Sequence, residues 1–288
     1  MIGHKVFQIL NKNFPDCVVA TTRTHKKELV EILSAKDTQI FEGLDLVNQN
    51  QIHELLDKVK PTIVINCAGI TIRKLQTVSP ETTYLVNSVA PKIISFWCEQ
   101  NKAKYIHFST DCVFDGLKGN YSENDCPTAT DLYGRSKYLG EVQTSTSLIL
   151  RVPVIGRELF SKTELLEWFI SQKNKKISGY AEVFYSGMTT NRLAEEIVHI
   201  LKTFPNLNGL YQISTEKISK FELLSQLNEV LKNNTEISKD ASKKSDKSLK
   251  CDKYIGRTKF IKPLWKQMLI EQSNENEFYE RAKNVLSR

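Results

Sequence analysis

No apolar run in these 288 residues approaches the ~20 that a membrane-spanning helix needs, so no membrane partner is expected. The start, Met1-Ile2-Gly3-His4-Lys5, lacks the charged opening and long apolar core of a secretory signal, and the expected location is cytoplasmic. The six cysteines (Cys17, Cys67, Cys98, Cys112, Cys126 and Cys251) are scattered, with no Cys-x-x-Cys pair. Several sit in apolar runs, where Cys behaves as a small hydrophobe, so neither disulfides nor a metal centre is expected. There is no internal repeat. No basic helix with interleaved aromatics is present either, which argues against a nucleic-acid partner.

At 40% hydrophobic and 25% charged residues, the chain can bury a sizeable core in one large domain or two unequal ones. Net charge is +7, and much of the excess comes from Lys239 to Lys253, with Lys243, Lys244, Lys247 and Lys250 among them. That stretch reads as a solvated loop, or as an attractor for an anionic group such as a pyrophosphate.

Apolar, β-branched runs alternate with helical patterns. Strands are expected at Cys17–Thr22, Thr62–Ala68, Tyr105–Ser109 and Leu148–Pro153. Helices are expected near Lys26–Leu33, Gln49–Lys58, Glu81–Asn101 and Tyr133–Thr144. This alternation implies an α/β fold, a doubly wound parallel sheet, and Thr62–Ala68 reads as a strand buried on both faces. Ligands of such sheets bind at the carboxyl ends of the strands. After Pro153 the rhythm changes: helices at Glu164–Gln172, Leu193–Lys202 and Phe221–Leu231, a returning strand at Leu210–Ser214, and a polar stretch over Lys232–Lys253. The expected division is 1–156 plus 183–215 as a dinucleotide-binding domain, and 157–182 plus 216–288 as a smaller substrate-binding domain.

Ser109-Thr110-Asp111 and Tyr133-Gly134-Arg135-Ser136-Lys137 carry the most chemistry. A Tyr and a Lys four apart share a helix face. An ammonium beside a phenol favours the phenolate, which suits a proton-transfer catalyst. Thr110, at the end of a preceding strand, would hold a substrate oxygen beside that phenol. Alone, such a pair is a weak signal that far more often describes a Tyr at a core edge and a solvated Lys; its place behind Tyr105-Ile106-His107-Phe108 makes it a candidate site.

Dinucleotide folds open with a strand, a glycine-rich turn and a helix whose N-terminus receives the pyrophosphate. Here Gly3–Leu10 reads as that helix, with Val6, Ile9 and Leu10 on one face and no strand before it.

Together, Met1-Ile2-Gly3, Asn66-Cys67-Ala68-Gly69, Ser109 to Gly116, Tyr133 to Lys137 and Leu150-Arg151 resemble the extended short-chain dehydrogenase/reductases. Within them the chain is most similar to the dTDP-4-dehydrorhamnose reductase group. The resemblance covers about the first 155 residues, and Ser186 to Thr190 and Ile218 to Phe221 extend it less sharply. It implies a Rossmann-type sheet with its first strand missing from this chain, and a natural polypeptide that continues upstream. It further implies an NADPH-dependent reductase of a nucleotide-activated 4-keto-deoxyhexose, in activated-sugar and polysaccharide biosynthesis. Thr110 would be the catalytic hydroxyl, Tyr133 the general acid and Lys137 its assisting amine. Two alternatives stand beside it: a non-catalytic regulatory or binding subunit of the same fold, and a sugar-nucleotide epimerase or dehydratase. A homodimer is left open.

For the cofactor, the resemblance matches Gly3 to the last glycine of the turn, and places the nicotinamide ribose near Tyr133 and Lys137. Arg23, with no acid nearby, suits a 2′-phosphate and favours NADPH, with NADH still open; a surface arginine is the other reading. Asp45-Leu46 would meet the adenine, or Asp45 would cap the next helix. Cys67, Ala68 and Gly69 are small residues at a strand end, where a backbone can approach a dinucleotide. Asn87 faces the site or is a buried structural amide. Arg151 reaches a phosphate or pairs with a carboxylate. Cys112 is expected to be inert, and Trp97 and Trp168 to lie in the core.

Overall fold

A computed structural model describes residues 1–287. Helix α1 (Ile2–Asn13) buries Val6, Phe7 and Leu10, and Ile9 packs at the core margin, so the expected apolar face is the buried one. Strand β1 (Ala20–Thr22) is shorter than Cys17–Thr22. It leads to α2 (Lys26–Leu33) and then to β2 (Ile40–Glu42), a strand the sequence pattern did not separate from its loop. Helix α3 (Gln49–Val59) starts where Asn48 accepts the amides of Asn50 and Gln51, and it buries Ile52 and Leu56, one turn apart.

Strand β3 (Ile63–Asn66) precedes α4 (Pro80–Tyr84), which Ser79 caps with Pro80 in the first position. The helical run expected over Glu81–Asn101 is interrupted: Leu85–Val89 is a π-helical segment before α5 (Ala90–Gln100). Strand β4 (Lys104–Ser109) is followed by α6 (Leu132–Leu139), which ends well short of Thr144. Strand β5 (Ser147–Arg151) is wholly buried.

Next come β6 (Val154–Ile155), α7 (Leu165–Ile170), β7 (Lys176–Tyr185), β8 (Met188–Thr189), α8 (Thr190–Thr203) and β9 (Gly209–Gln212). They are followed by β10 (Ile218–Ser219), α9 (Lys220–Leu231), β11 (Glu236–Asp246), α10 (Asp252–Thr258), α11 (Trp265–Ser273) and α12 (Asn276–Leu286). Ser219 and Glu222 form a reciprocal capping box on α9.

Four parallel strands form the main sheet in the order β3-β4-β5-β9. β1 and β2 pair in parallel as a separate two-stranded piece, and no pairing joins β1 to β3 among the described residues. This corrects the expectation for Thr62–Ala68. β3 pairs on one side only; Ile63 is 40% exposed, and Val64 and Ile65 are half-buried rather than enclosed.

A third sheet has the order β10-β7-β11, and a short one joins β6 to β8. The polar stretch over Lys232–Lys253 is therefore not a solvated loop. It carries an edge strand in parallel register with β7, with an irregularity between Asp240 and Lys244. The backbone pairing orders it, while its lysines lie over neighbouring rings: Lys239 over Phe221 and Lys243 over Tyr180.

The largest apolar cluster runs from Val6 and Leu10 through β4, β5 and α8 to Met268 and Leu269. Trp97 lies in a second cluster with Ile52, Leu56 and Ile94, and Trp168 packs on the first. All six cysteines are free, and no helix among the described residues is long and apolar enough to cross a membrane.

Candidate active site

The carboxyl ends of β3, β4 and β5 open into a cavity of about 230 Å³. Cys67, Ala68, Gly69, Thr110, Tyr133 and Lys137 all line it, so the main sheet gathers six of the expected site residues. Gly3, Arg23, Asp45 and Leu46 are not among the lining residues. Gly3 lies one residue inside α1, against Cys67, while Met1 and Ile2 line the wall. Arg23 is exposed after β1. Asp45 accepts the Val47 amide, and the cap of α3 is Asn48, so the capping role considered for Asp45 belongs to its neighbour. Leu46 packs on the Trp97 cluster.

Thr110 ends the strand segment and caps the short turn after it. Its Oγ1 accepts the Cys112 amide at 3.1 Å and donates to Asp111 Oδ1 at 3.0 Å. Asp131 caps α6 by accepting the Gly134 amide at 2.9 Å. Gly134 lets this helix approach the Thr110 turn closely: a Cβ there would sit 2.1 Å from the Cys112 carbonyl oxygen. Sequence motif and close packing thus share one cause. Tyr133 can stand beside Thr110 only because its successor has no side chain.

Burial pushes the Tyr133 phenol above its ordinary range, and the Thr110 hydroxyl works in the opposite direction. Lys137 is not among the causes acting on Tyr133, unlike the expectation that it lowers the phenol. Its Nζ donates instead to the Phe108 carbonyl oxygen at 2.7 Å and lies 3.4 Å from His107 Nε2. Burial lowers the Lys137 ammonium to about 8, with Glu141 opposing. Burial also pushes the Cys67 and Cys112 thiols up to about 12, leaving both protonated at neutral pH.

Asn87, in the π-helical segment, is a bridge. Its Oδ1 accepts the Ile70 amide at 2.8 Å, and its Nδ2 donates to the Ile70 carbonyl and to Ser136 Oγ. It thereby ties the cavity loop to α6. Arg151 pairs with a carboxylate rather than facing the cavity: Nε and Nη2 donate to the two oxygens of Glu141 at 2.8 and 2.7 Å, with both side chains almost fully buried.

Several cavity residues carried no signal in the sequence. Thr71 Oγ1 donates to Glu164 Oε1 at 2.7 Å, joining the loop after β3 to the segment before α7. Tyr185 ends β7, and its buried hydroxyl has no hydrogen-bond partner among the described residues. A second cavity of about 210 Å³ adjoins, sharing Glu164 and Tyr185 and reaching Arg73 and Lys220. These contacts unite positions far apart in the chain, and only the tertiary fold brings them together. His107 lay inside a quoted strand run, with nothing in the pattern to mark which way it faced.

A nicotinamide cofactor is implied by the resemblance. The fit is at the nicotinamide end. Small residues at the β3 end, a buried amine and a phenol converge on one cavity, and that cavity has room for part of a dinucleotide rather than all of it.

The "Probable low-salt glycan biosynthesis reductase Agl14" of Haloferax volcanii is 39% identical over 99 residues, 34% of this chain and 33% of that protein. The "Methionine adenosyltransferase 2 subunit beta" of Xenopus laevis is 25% identical over 195 residues, 64% of this chain and 58% of that protein. The chain therefore spans less than two thirds of either relative. The solved dTDP-4-dehydrorhamnose reductase of Bacillus anthracis, in complex with NADP, superposes with a TM-score of 0.71 at 22% identity, covering 82% of this chain and 90% of that one. It shares the Rossmann-type α/β fold. The family described as "RmlD substrate binding domain" matches residues 12–272, most of the chain, and the chain belongs to this RmlD-like family of extended short-chain dehydrogenase/reductases.

Proposed function

We propose that this chain is an NADPH-dependent reductase of a nucleotide-activated 4-keto-deoxyhexose, acting in activated-sugar and polysaccharide biosynthesis. The observation that carries it is the convergence of Thr110, Tyr133 and Lys137 on one cavity. When bound, the reduced nicotinamide supplies the hydride. Tyr133, whose buried phenol holds its proton, donates that proton to the developing alkoxide. The Thr110 hydroxyl turns from Asp111 to the same oxygen, a bond that strengthens as charge develops. The Lys137 ammonium, held by the Phe108 carbonyl, would orient the ribose. Cys67, Ala68 and Gly69 would lie against the nicotinamide, with Gly3 beside the pyrophosphate, Asp45 and Leu46 beside the adenine, and Arg23 on the 2′-phosphate. Residues 1–156 with 183–215 would form the cofactor domain, and 157–182 with 216–288 the substrate domain. The separate sheet β10-β7-β11 supports that division in part.

The test is a screen of 4-keto nucleotide sugars with NADPH, followed at the reduced-nicotinamide absorbance band. Stoichiometric loss of the band with one of them is expected. Retention of the band with every substrate would remove the reductase reading. A second reading, a regulatory subunit, is favoured by the likeness to the methionine adenosyltransferase subunit. Copurification with a catalytic partner, and no NADPH oxidation, would support it. An epimerase would instead recycle a tightly held NAD without net change in absorbance.

A further inference from the structure

Beside Lys137 lies a group of polar side chains that the proposed chemistry does not use, of which Asn66 reaches the cavity wall. His107, on β4, is fully buried. Its Nε2 lies 3.4 Å from Lys137 Nζ, and its Nδ1 lies 3.3 Å from both Tyr105 Oη and Asn66 Nδ2. Asn66 is fixed in turn: its Oδ1 accepts the Ala68 amide at 3.1 Å, which turns its Nδ2 toward Tyr105 and His107. A continuous chain of polar contacts therefore runs from the cavity loop at Ala68, through Asn66, Tyr105 and His107, to the amine.

We propose that His107 is a positioning residue: its neutral ring accepts one N–H of the Lys137 ammonium, fixes the amine at the cavity wall and stabilises its charged form. The inference rests on reading Tyr133 and Lys137 as the acid and its assisting group.

An ammonium has three donors and no acceptor. While Lys137 is charged, His107 Nε2 must accept, and Nδ1 must carry the ring hydrogen and give it to Tyr105 Oη, so that Asn66 Nδ2 donates to Tyr105 Oη and not to the ring. Phe108 takes the second ammonium hydrogen, which leaves the third for the cavity. A doubly protonated ring is excluded, because burial and Lys137 both hold His107 well below its ordinary range. The other groups facing the amine do not substitute for this acceptor. Tyr105 Oη is already occupied by Asn66 Nδ2 and the His107 ring, and the Cys67 thiol, pushed up to about 12, is only a weak acceptor. Glu141 is already engaged by Arg151 and Ser109, and Asn87 by Ile70 and Ser136.

The experiment titrates the free protein, labelled with ¹³C at lysine Cε, with the Lys137 signal identified by its loss in Lys137→Met. In His107→Leu the Lys137 midpoint should fall by about one pH unit, because a hydrogen bond to the charged form is lost. In His107→Gln, whose amide oxygen can accept, it should stay within about 0.3 unit of the wild type. An unchanged midpoint in a folded His107→Leu protein overturns the inference, as does an equal fall in both variants.

If the Leu variant does not fold, ¹⁵N imidazole shifts of the wild type at pH 6 decide. A neutral ring with hydrogen on Nδ1 supports the proposal, and hydrogen on Nε2 or on both nitrogens overturns it. These readouts need neither cofactor nor substrate. A failed keto-sugar screen leaves them standing, and their failure leaves the screen untouched.

Discussion

Burial holds the proton on Tyr133, which makes the phenol an acid rather than a base in the resting protein. Tyr133→Phe should lower turnover at least ~10²-fold with cofactor binding kept, because only the proton donor is removed; near-normal turnover would show that another group gives the proton. Lys137 sets the pH window. Its affinity for a proton is lowered to about 8, so the ammonium is present below that pH and lost above it. Turnover should therefore decline as pH rises through about 8, and a profile flat to pH 10 would separate the amine from the chemistry. The Thr110-Tyr133-Lys137 set was legible because the family motif names types and spacing. The hydrogen-bond partners of Lys137 were not legible, because a strand residue such as His107 shows its face only when the sheet is assembled.

Helix α6 and the turn after β4 fit together through a missing side chain. Gly134→Ala would force the helix away from the Cys112 carbonyl. Its expected outcome is a marked loss of turnover, since Tyr133 is carried off Thr110; unchanged kinetics would mean that the backbone yields at no cost. β5 offers a different kind of constraint. Arg151 and Glu141 form a bidentate pair out of solvent. Glu141→Gln leaves a buried guanidinium without its counter-charge, which should cost about 3–5 kcal/mol and show as a lower melting temperature.

At this scale the sequence located most elements of the first 155 residues. Helical patterning marked α2 and α3, and apolar runs marked β4 and β5. β11 escaped because its residues are those of a loop; its order comes from the backbone of β7. The π-helical segment at Leu85–Val89 escaped because a single turn is too short for its changed period to register in the apolar spacing.

Across the whole molecule, the sheet divides unequally. β4 and β5 are buried and paired on both sides, whereas β1 and β2, three residues each, pair only with one another. Local opening should therefore be easiest there. Hydrogen exchange should reach the β1 and β2 amides well before those of β4 and β5, and equal protection would show that the two pieces open as one. The apolar cluster shared by α1, α8 and α11 ties the two ends of the chain into one cooperative body despite that division.

The outer margin of the third sheet has its own consequence. Among the described residues β11 pairs with a strand on one side only; Lys239 and Lys243 lie along it over Phe221 and Tyr180, and Lys244 is paired with Glu182. An exposed margin is ordinarily a template on which a second polypeptide can stack, fibril-fashion. Two copies meeting there would bring ammonium against ammonium, so the lysines that looked like idle solvation act as a repellent guard, one that concentrated salt would weaken.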